Sequence, residues 1–317
     1  MKREDLIRKK NVVLIVDGKK EIAGTSTGRN AIRIGVTKKV PLSHLKRKDQ
    51  IPRKVDGQET DVFETGEIRA LRTTKHRPAP GGVSIGHPLI TAGTLGMVIR
   101  DKHEYPYILS NNHVLANCND AQVGDQSWQP GKHDGGGPGD TVGHLFKFAP
   151  IHFEDDGSAC PIAAIIVFIL DLLFKFFGRR TRFVPKAYQT NTVDCAISKP
   201  IELDDISDEI LGIGNPQGFA EVAEGDKVKK SGRTTEVTTG VVQNVNGIVR
   251  VDYGGGRMAV FTNQLLITGE GMSAPGDSGS IILNEDNKVV GLLYAGSDTL
   301  TIANKISDVI SALGIEV

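Results

Sequence analysis

The sequence predicts a mostly β protein made of many short strands, with a small α/β unit before them. From about residue 89 onward, β-prone runs such as "YPYILS", "AVFTNQLLIT" and "NKVVGLLYAGS" follow one another between turn signals. Repeated strands at this spacing are typical of a β-sandwich or barrel. The 37 glycines of the chain agree with this prediction, because glycine supplies the backbone conformations of tight turns.

Residues 1–80 are predicted to form a small N-terminal α/β domain and a linker. The runs "NVVLIV" and "AIRIGV" indicate strands, and Asp56-Gly57 within "KVDGQETDVFETGEI" is a hairpin turn signal. The stretch "LSHLKRKDQIP" fits either a short helix or a loop. The segment "RTTKHRPAPGGVSIGH" is rich in proline, glycine and basic residues, which is typical of a linker. A second domain would then span residues 81–317.

Two segments show helical patterns instead. The C-terminal "NKISDVISALGI" places apolar residues at helical spacing, so we expect a closing helix there. An inserted helical segment is predicted over residues 155–186. Its run "CPIAAIIVFILDLLFKFFGRR" has proline near its start and glycine and arginine at its end, which are helix boundary signals.

The apolar run at residues 160–178 needs a partner surface. A membrane-spanning helix is one interpretation, but Asp171 and Lys175 would each cost about 2.5–3.5 kcal/mol at a bilayer centre. Burial within the same subunit is a second interpretation. We favour packing on another subunit, because an inserted segment has little core of its own to join. The prediction is a homo-oligomer formed through residues 160–178, without membrane attachment.

The net charge and the N-terminal sequence limit the classes of binding partner and the cellular compartment that we expect. Lys plus Arg and Asp plus Glu are both 38, so the formal net charge is zero. No field therefore attracts the whole protein to nucleic acid or to an acidic membrane. The N-terminal apolar run "VVLIV" is too short for a signal peptide. We expect a cytoplasmic protein with no nucleic-acid partner.

No motif in the sequence indicates a metal or a cofactor. Cys118, Cys160 and Cys195 are odd in number and form no CxxC pair, which argues against a disulfide framework or a zinc cluster. Asp134 and Asp140 in "HDGGGPGDTVG" make calcium conceivable, but the ligand spacing of an EF-hand is lacking, and a loop is the favoured interpretation. The chain also has no GxxxxGK[ST] phosphate loop.

The stretch "SAPGDSGSIIL", residues 273–283, is the strongest candidate for chemistry. It places Ser278 directly after Asp277 and between Gly276 and Gly279. An ordinary polar turn before a strand is one interpretation. The other is a nucleophile on a strained turn, with neighbouring N–H groups aimed at a developing oxyanion. Partners elsewhere in the chain decide between the two.

His113 and Asp194 are the candidate partners of Ser278. His113 differs from the other seven histidines because it closely follows a strand run, in "YPYILSNNHVLAN". Asp194 lies in the apolar pattern "NTVDCAIS", where an unpartnered carboxylate would be costly to bury. A strand-end aspartate is the alternative for Asp194. The order His113, Asp194, Ser278 is that of chymotrypsin-type proteases and not that of subtilisins or α/β-hydrolases.

The three blocks "SNNHVLAN", "VDCAI" and "APGDSGS" resemble the catalytic blocks of chymotrypsin-like (trypsin-like, S1-type) serine peptidases. The resemblance covers roughly residues 85–317 and implies a chymotrypsin-like double β-barrel. The stretches "KSGRTTEVTTGVV" and "YGGG" are similar to a bacterial branch related to the plant NARROW LEAF 1 proteins. His113 and Asp194 are 81 residues apart, against about 45 in chymotrypsin, whereas Asp194 and Ser278 are 84 apart, against about 93. One insertion between His113 and Asp194 explains the difference.

The resemblance implies a serine endopeptidase that works through an acyl-enzyme. Ser278 would be the nucleophile, His113 the proton carrier and Asp194 the residue that orients the imidazole. The N–H groups of Gly276 and Ser278 would form the oxyanion hole. A catalytically silent scaffold or binding protein with the same fold is the alternative function.

One departure from the family concerns activation. No Ile-Val-Gly-Gly activation site precedes the first barrel, although in secreted trypsins a newly cut N-terminus pairs with the aspartate that matches Asp277. Asp277 must therefore find another partner, such as a lysine or an arginine. The alternative is that the oxyanion hole forms only on assembly or ligand binding.

The resemblance also suggests substrate-binding residues. Met272, six positions before the nucleophile, would lie at the base of the S1 pocket and favour an apolar or medium-sized P1 side chain. Glu270 and Asp298 are close enough in sequence to alter that preference. Tyr294 and Gly296, in the strand run "LLYAGS", would pair with the backbone of a protein or peptide substrate by β-addition.

Overall fold

A computed structural model describes residues 3–22, 24–66, 72–154 and 189–316. The chain divides into two compact units, Met1–Ala70 and Leu71–Val317. The inserted helical segment predicted over residues 155–186, and with it the subunit contact predicted for residues 160–178, lies outside the described residues. Among the helices that the structure describes, none is long and apolar enough to cross a membrane.

The smaller unit is a four-stranded sheet with one short helix. Its elements are α1 (Arg3–Ile7), β1 (Val12–Ile22), β2 (Thr25–Val36), a 3-10 turn (Leu42–His44), β3 (Lys54–Val55) and β4 (Gln58–Glu64). The strand order is β1-β2-β4-β3, in which β2 and β4 are parallel. Buried aliphatic side chains from α1, β1, β2 and β3 form its core. The stretch that fitted either a helix or a loop begins as the 3-10 turn and continues as a loop.

The predicted hairpin around Asp56-Gly57 is confirmed. β3 and β4 are antiparallel, and Val55 faces Gln58 across the two-residue turn. Asp56 has φ 49° and Gly57 has φ 81°. Positive φ at both central residues is what the favoured two-residue hairpin turn requires, which explains the aspartate–glycine pair.

In the residues that the structure describes, the first half of the larger unit, up to residue 210, contains nine short strands. They are β5 (Ala79–Gly81), β6 (Ser84–Ile85), β7 (Gly93–Thr94), β8 (Met97–Arg100), β9 (Pro106–Ser110), β10 (Gln126–Trp128), β11 (Thr141–Phe148), β12 (Ala196–Pro200) and β13 (Ile206–Ile210). The helical elements described there are α2 (Asn112–Leu115) and the 3-10 turns Asn117–Asn119, Lys132–Asp134, Pro138–Asp140 and Leu203–Asp205. Five of the strands form one sheet in the order β10-β11-β12-β9-β8, while β6 pairs with β7 and β13 with β5.

The second half is a closed six-stranded barrel followed by a helix. The elements are β14 (Lys227–Gly232), β15 (Glu236–Asp252), β16 (Met258–Thr268), β17 (Ile281–Asn284), β18 (Val289–Gly296), β19 (Thr301–Lys305) and α3 (Ile306–Leu313). The barrel closes in the order β14-β15-β16-β19-β18-β17. The mostly β fold class predicted from the sequence is confirmed.

The predicted closing helix is also confirmed, as α3. Its apolar side Ile306, Val309 and Leu313 is buried. The same core cluster contains Leu109 from β9 and Leu292 from β18. The helix therefore packs against apolar side chains from both halves of the larger unit, and this burial compensates for its short length of eight residues.

The segment that the composition suggests as a linker is packed into the larger unit. Ala79, Val83 and Ile85 are fully buried. β5 pairs in parallel with β13, so Ala79 lies opposite Ile206. Proline and glycine there allow short strands with tight turns, and small aliphatic side chains supply the burial that a free linker lacks.

Candidate active site

His113 and Asp194 lie together at one end of the first sheet. β9 and β12 are antiparallel, and Ser110 faces Ala196, so the residues just after β9 meet those just before β12. His113 Nδ1 is 2.6 Å from Asp194 Oδ2, and the main-chain N–H of His113 donates to Oδ1 at 3.2 Å. The side chain of Asp194 is fully buried. The pairing with His113 offsets the free-energy cost of burying this carboxylate, because a buried charge needs a partner.

The main chain around this pair is held by buried amides. Asn111 Nδ2 donates to the carbonyl oxygen of Asp194 at 2.7 Å, and the N–H of Asp194 donates to Asn304 Oδ1 at 3.0 Å. Asn111 and Asn304 are both fully buried. One side chain just after β9 and one from β19 thus fix the carbonyl and the N–H group of Asp194.

Ser278 lies on the turn between β16 and β17. Its carbonyl oxygen accepts from the N–H of Thr94 at 2.7 Å. A Cβ added at Gly93 would contact this same carbonyl oxygen at 3.0 Å and would clash with Val114, the neighbour of His113. Glycine at position 93 therefore allows the histidine segment and the serine segment to approach each other. Ser278 Oγ donates to the carbonyl oxygen of Tyr294 at 3.3 Å, and no hydrogen bond joins it to His113 within the described residues.

The turn before Ser278 contains Gly276 and Ser278, whose N–H groups are predicted to form the oxyanion hole. Gly276 has φ 99°, a conformation that favours glycine, and an added Cβ there would clash with Arg233. Thr94 Oγ1 donates to the carbonyl oxygen of Gly276 at 2.9 Å, which fixes the orientation of that peptide. Neither the N–H of Gly276 nor that of Ser278 donates a hydrogen bond to any described residue. Both N–H groups can therefore receive an oxyanion.

Asp277 has its partners inside the chain. Its carboxylate accepts from the N–H groups of Thr234, Thr235 and Ala274, at 2.8, 3.1 and 3.0 Å, and from Thr235 Oγ1 at 2.6 Å. Lys230 Nζ lies 3.4 Å from Oδ2, and both charged side chains are fully buried. Burial lowers the pKa of Lys230, an effect that the Asp277 charge opposes. Lysine is thus the cation that faces the aspartate in place of a cut N-terminus.

The two aspartates considered as calcium ligands form ion pairs with basic side chains in the structure. Asp134 accepts from Arg233 at 2.5 Å on each oxygen and from Ser84 Oγ at 2.5 Å. Asp140 accepts from Lys75 at 2.8 Å. Across the parts of the chain that the structure describes, no group of three or more His, Cys, Asp or Glu side chains could hold a metal ion. The Asp134–Arg233 pair instead braces the loop beside Gly276.

A cavity of about 230 Å³ opens beside Ser278. Its lining consists of Ser273, Ala274, Pro275, Ser278, Leu293, Ala295, Gly296, Ser297 and Asp298. The only charged lining residue is Asp298, which is exposed. Gly296, predicted to bind substrate, is among these residues, but Met272 is not.

Met272 and Tyr294, both predicted to bind substrate, have buried side chains. Met272 is 2% exposed, and its sulfur lies 3.6 Å from Thr238 Oγ1 inside the barrel. Its neighbour Ser273 lines the cavity, whereas Met272 is not part of the lining. Tyr294 is 3% exposed, and its main-chain carbonyl faces Ser278.

Two residues close to the site were not identified from the sequence. Lys230 partners Asp277, and Tyr253 donates its hydroxyl to Asp194 Oδ2 at 2.8 Å. The signal for Lys230 was a lysine at an inward position of the strand run "DKVKKSG", where a buried cation implies a buried anion. Tyr253 is followed by three glycines, which mark a tight turn but do not indicate where the tyrosine points.

The nearby thiol does not compete with Ser278 as a nucleophile. Burial, followed by the negative charge of Asp194, raises the pKa of Cys118 to about 12. A thiol is reactive as the thiolate, so Cys118 is inert near neutral pH.

Comparisons with known proteins identify the family of the chain. The model of the trypsin-like peptidase domain family matches residues 93–292, which is more than half of the chain. Among solved structures, Nocardiopsis protease is 14% identical over 75% of this chain and 97% of its own, with a TM-score of 0.47. Thermobifida fusca protease A is 16% identical over 75% of this chain and 96% of its own, with a TM-score of 0.47.

A third solved structure, the chymotrypsin of Cellulomonas bogoriensis, is 15% identical over 75% of this chain and 97% of its own, with a TM-score of 0.45. No curated protein matches the chain. The assignment therefore rests on the family model, whose matched region contains His113, Asp194 and Ser278. The chain belongs to the trypsin-like peptidase domain family.

Proposed function

We propose that this protein is a serine endopeptidase whose catalytic residues are His113, Asp194 and Ser278. One observation carries the proposal: His113 is hydrogen bonded to a fully buried aspartate in the unit that also presents Ser278 on a glycine-flanked turn. A carboxylate in this position holds one imidazole tautomer and stabilises the imidazolium that forms during acyl transfer.

The proposed reaction follows from these positions. Ser278 Oγ attacks the scissile carbonyl carbon while His113 takes its proton, and the N–H groups of Gly276 and Ser278 stabilise the oxyanion. His113 then gives the proton to the leaving amine, which departs and leaves an acyl-enzyme on Ser278. A water molecule, deprotonated by His113, hydrolyses this ester and restores the serine.

A catalytically silent scaffold is the second candidate function. It is favoured by one observation, the hydrogen bond from Ser278 Oγ to the carbonyl oxygen of Tyr294 in place of His113. Catalytic hydrogen bonds often form or shorten only when a substrate is bound, so a reactive probe separates the two functions.

The full-length chain is expected to react with a fluorophosphonate probe without N-terminal cleavage. The reason is that Asp277 already has its partners Lys230, Thr234 and Thr235 within the chain, so no new N-terminus is needed to order the turn. Intact mass spectrometry of the labelled protein measures this. Labelling of the uncut chain that is lost in Ser278→Ala supports the peptidase.

Two other outcomes would contradict these expectations. Label found only on a chain shortened to around residue 80 would reveal a cleavage step. A folded wild type that takes no label at all would favour the silent scaffold.

For the substrate, we propose an uncharged P1 side chain of small to medium size. Small residues line most of the cavity beside Ser278, and the carboxylate of Asp298 lies at its exposed rim.

Asp298→Asn is expected to raise kcat/KM for a P1 glutamate peptide about 2- to 5-fold relative to its P1 glutamine counterpart, since exposed charges interact weakly. Fluorogenic peptides that differ only at P1 measure this ratio. An unchanged ratio would exclude Asp298 from P1 selection.

Three further expectations stay predictions. They are the similarity to the branch related to the NARROW LEAF 1 proteins, the cytoplasmic location and the homo-oligomer formed through residues 160–178.

A further inference from the structure

Tyr253 reaches the candidate active site from the far half of the larger unit. It directly follows β15, at the tip of the long β15–β16 hairpin. Its hydroxyl donates to Asp194 Oδ2 at 2.8 Å, the same oxygen that His113 Nδ1 contacts at 2.6 Å. Asp194 is thus bound by His113 from α2, which follows the first sheet, and by Tyr253 from the barrel.

The ring of Tyr253 is held on several sides by aromatic contacts. Its centroid lies 5.6 Å from that of Phe153, at an interplanar angle of 84°, and 6.2 Å from that of Phe261. It also meets the His113 ring edge to face, at 5.7 Å and 69°. A ring packed in this way leaves its hydroxyl little freedom, so the donor stays aimed at the carboxylate.

The hairpin tip is itself tied to the segment that follows His113. Gly254, Gly255 and Gly256 all have positive φ, which lets the chain reverse directly after Tyr253. Beyond this turn, Arg257 donates to Asp120 at 2.8 Å and to the carbonyl oxygen of Cys118 at 2.9 Å. These contacts fix the tip of the hairpin over the histidine segment.

Tyr253 is the tyrosine suited to this contact. Burial, followed by the charge of Asp194, raises its pKa well above the ordinary value, so its hydroxyl stays a donor. The hydroxyl of Tyr294 is also buried, but it has no hydrogen-bond partner among the described residues.

We propose that Tyr253 is a positioning residue that holds the carboxylate of Asp194 in the orientation that His113 requires. The carboxylate is fully buried, and three donor groups from described residues contact it: the His113 N–H, the His113 ring and the Tyr253 hydroxyl. Without the hydroxyl, the histidine ring is the one donor to Oδ2 among the described residues, and the carboxylate can rotate. The inference rests on the proposed peptidase function, because it assigns Tyr253 a role in that reaction.

Tyr253→Phe tests the proposal, since it removes the hydroxyl and keeps the ring contacts. Tyr107→Phe is the matched control, because the hydroxyl of Tyr107 also faces an aspartate, Asp101 at 3.5 Å. With a saturable fluorophosphonate, Tyr253→Phe is expected to lower the maximal inactivation rate about 10- to 100-fold, as for the loss of a hydrogen bond to a charged group. The half-saturating probe concentration should stay within about twofold of wild type, and Tyr107→Phe should change neither quantity.

A second measurement does not depend on catalysis. The proton between His113 Nδ1 and Asp194 should give a far-downfield ¹H NMR signal, assigned by its loss in His113→Ala. In a Ser278→Ala background, Tyr253→Phe is expected to shift or broaden this signal, whereas Tyr107→Phe leaves it unchanged. Thermal unfolding of each variant shows whether it is folded.

The outcomes separate the two proposals. If wild type is labelled, a normal inactivation rate, an unmoved NMR signal or an unfolded Tyr253→Phe overturns the positioning role and leaves the peptidase intact. If wild type takes no label, the peptidase fails and the NMR signal alone decides the role of Tyr253.

Discussion

Replacing Ser278 or His113 by alanine is expected to lower kcat on a cleaved peptide by about 10⁴- to 10⁶-fold in each case. Replacing both should cost little more than either alone. The physical reason is that the serine is a weak nucleophile until the imidazole takes its proton, so the two residues act as one unit. What remains in every variant is the contribution of the oxyanion hole and of substrate binding.

Steady-state and single-turnover kinetics on one fluorogenic peptide measure these losses. Ser207→Ala and His103→Ala are matched controls, because both side chains lie away from Ser278 on strand β13 and on the turn before β9. The controls should keep kcat within about twofold of wild type. Additive losses, or a near-normal rate in either single variant, would show that another nucleophile or base performs the reaction.

Replacing Lys230 by methionine is expected to lower the free energy of unfolding of the larger unit by about 3–5 kcal/mol. The substitution keeps an unbranched apolar stem but leaves the Asp277 carboxylate buried without its cation. Four hydrogen bonds from Ala274, Thr234 and Thr235 remain on that carboxylate, so we expect a loss near the lower end of this range. The same variant should react more slowly with the fluorophosphonate, because Asp277 anchors the turn that carries Ser278.

Urea unfolding followed by tryptophan fluorescence measures this loss, since the single tryptophan, Trp128, lies on β10 of the larger unit. Lys227→Met, on the same strand as Lys230, is the matched control: its ion pair with Glu285 is exposed and 3.9 Å long, so the expected change is within about 0.5 kcal/mol. Lys230→Met combined with Asp277→Asn should recover part of the stability, because no buried charge then stands alone. A Lys230→Met protein as stable as the control would show that the backbone donors suffice for Asp277.

Local sequence signals were enough to predict the elements that depend only on neighbouring residues. Asp56-Gly57 specified a two-residue turn because both residues tolerate positive φ. The helical spacing of Ile306, Val309 and Leu313 specified α3, because one apolar face must be buried. The candidate residues His113, Asp194 and Ser278 could be selected because each lies in an unusual local setting and their order matches a known arrangement.

Only the tertiary structure decided how distant residues are paired. Lys230 and Asp277 are 47 residues apart, and Tyr253 and Asp194 are 59 apart, so no local pattern joins them. The direction of the Met272 side chain could not be predicted from the sequence either, because Met272 lies in an irregular turn and not in a strand with alternating side chains. The sequence by itself determined which residues can carry charge, donate protons or permit a turn. Which of them meet depends on closure of the barrel, because burial in a shared core is a property of the whole chain and not of any one segment.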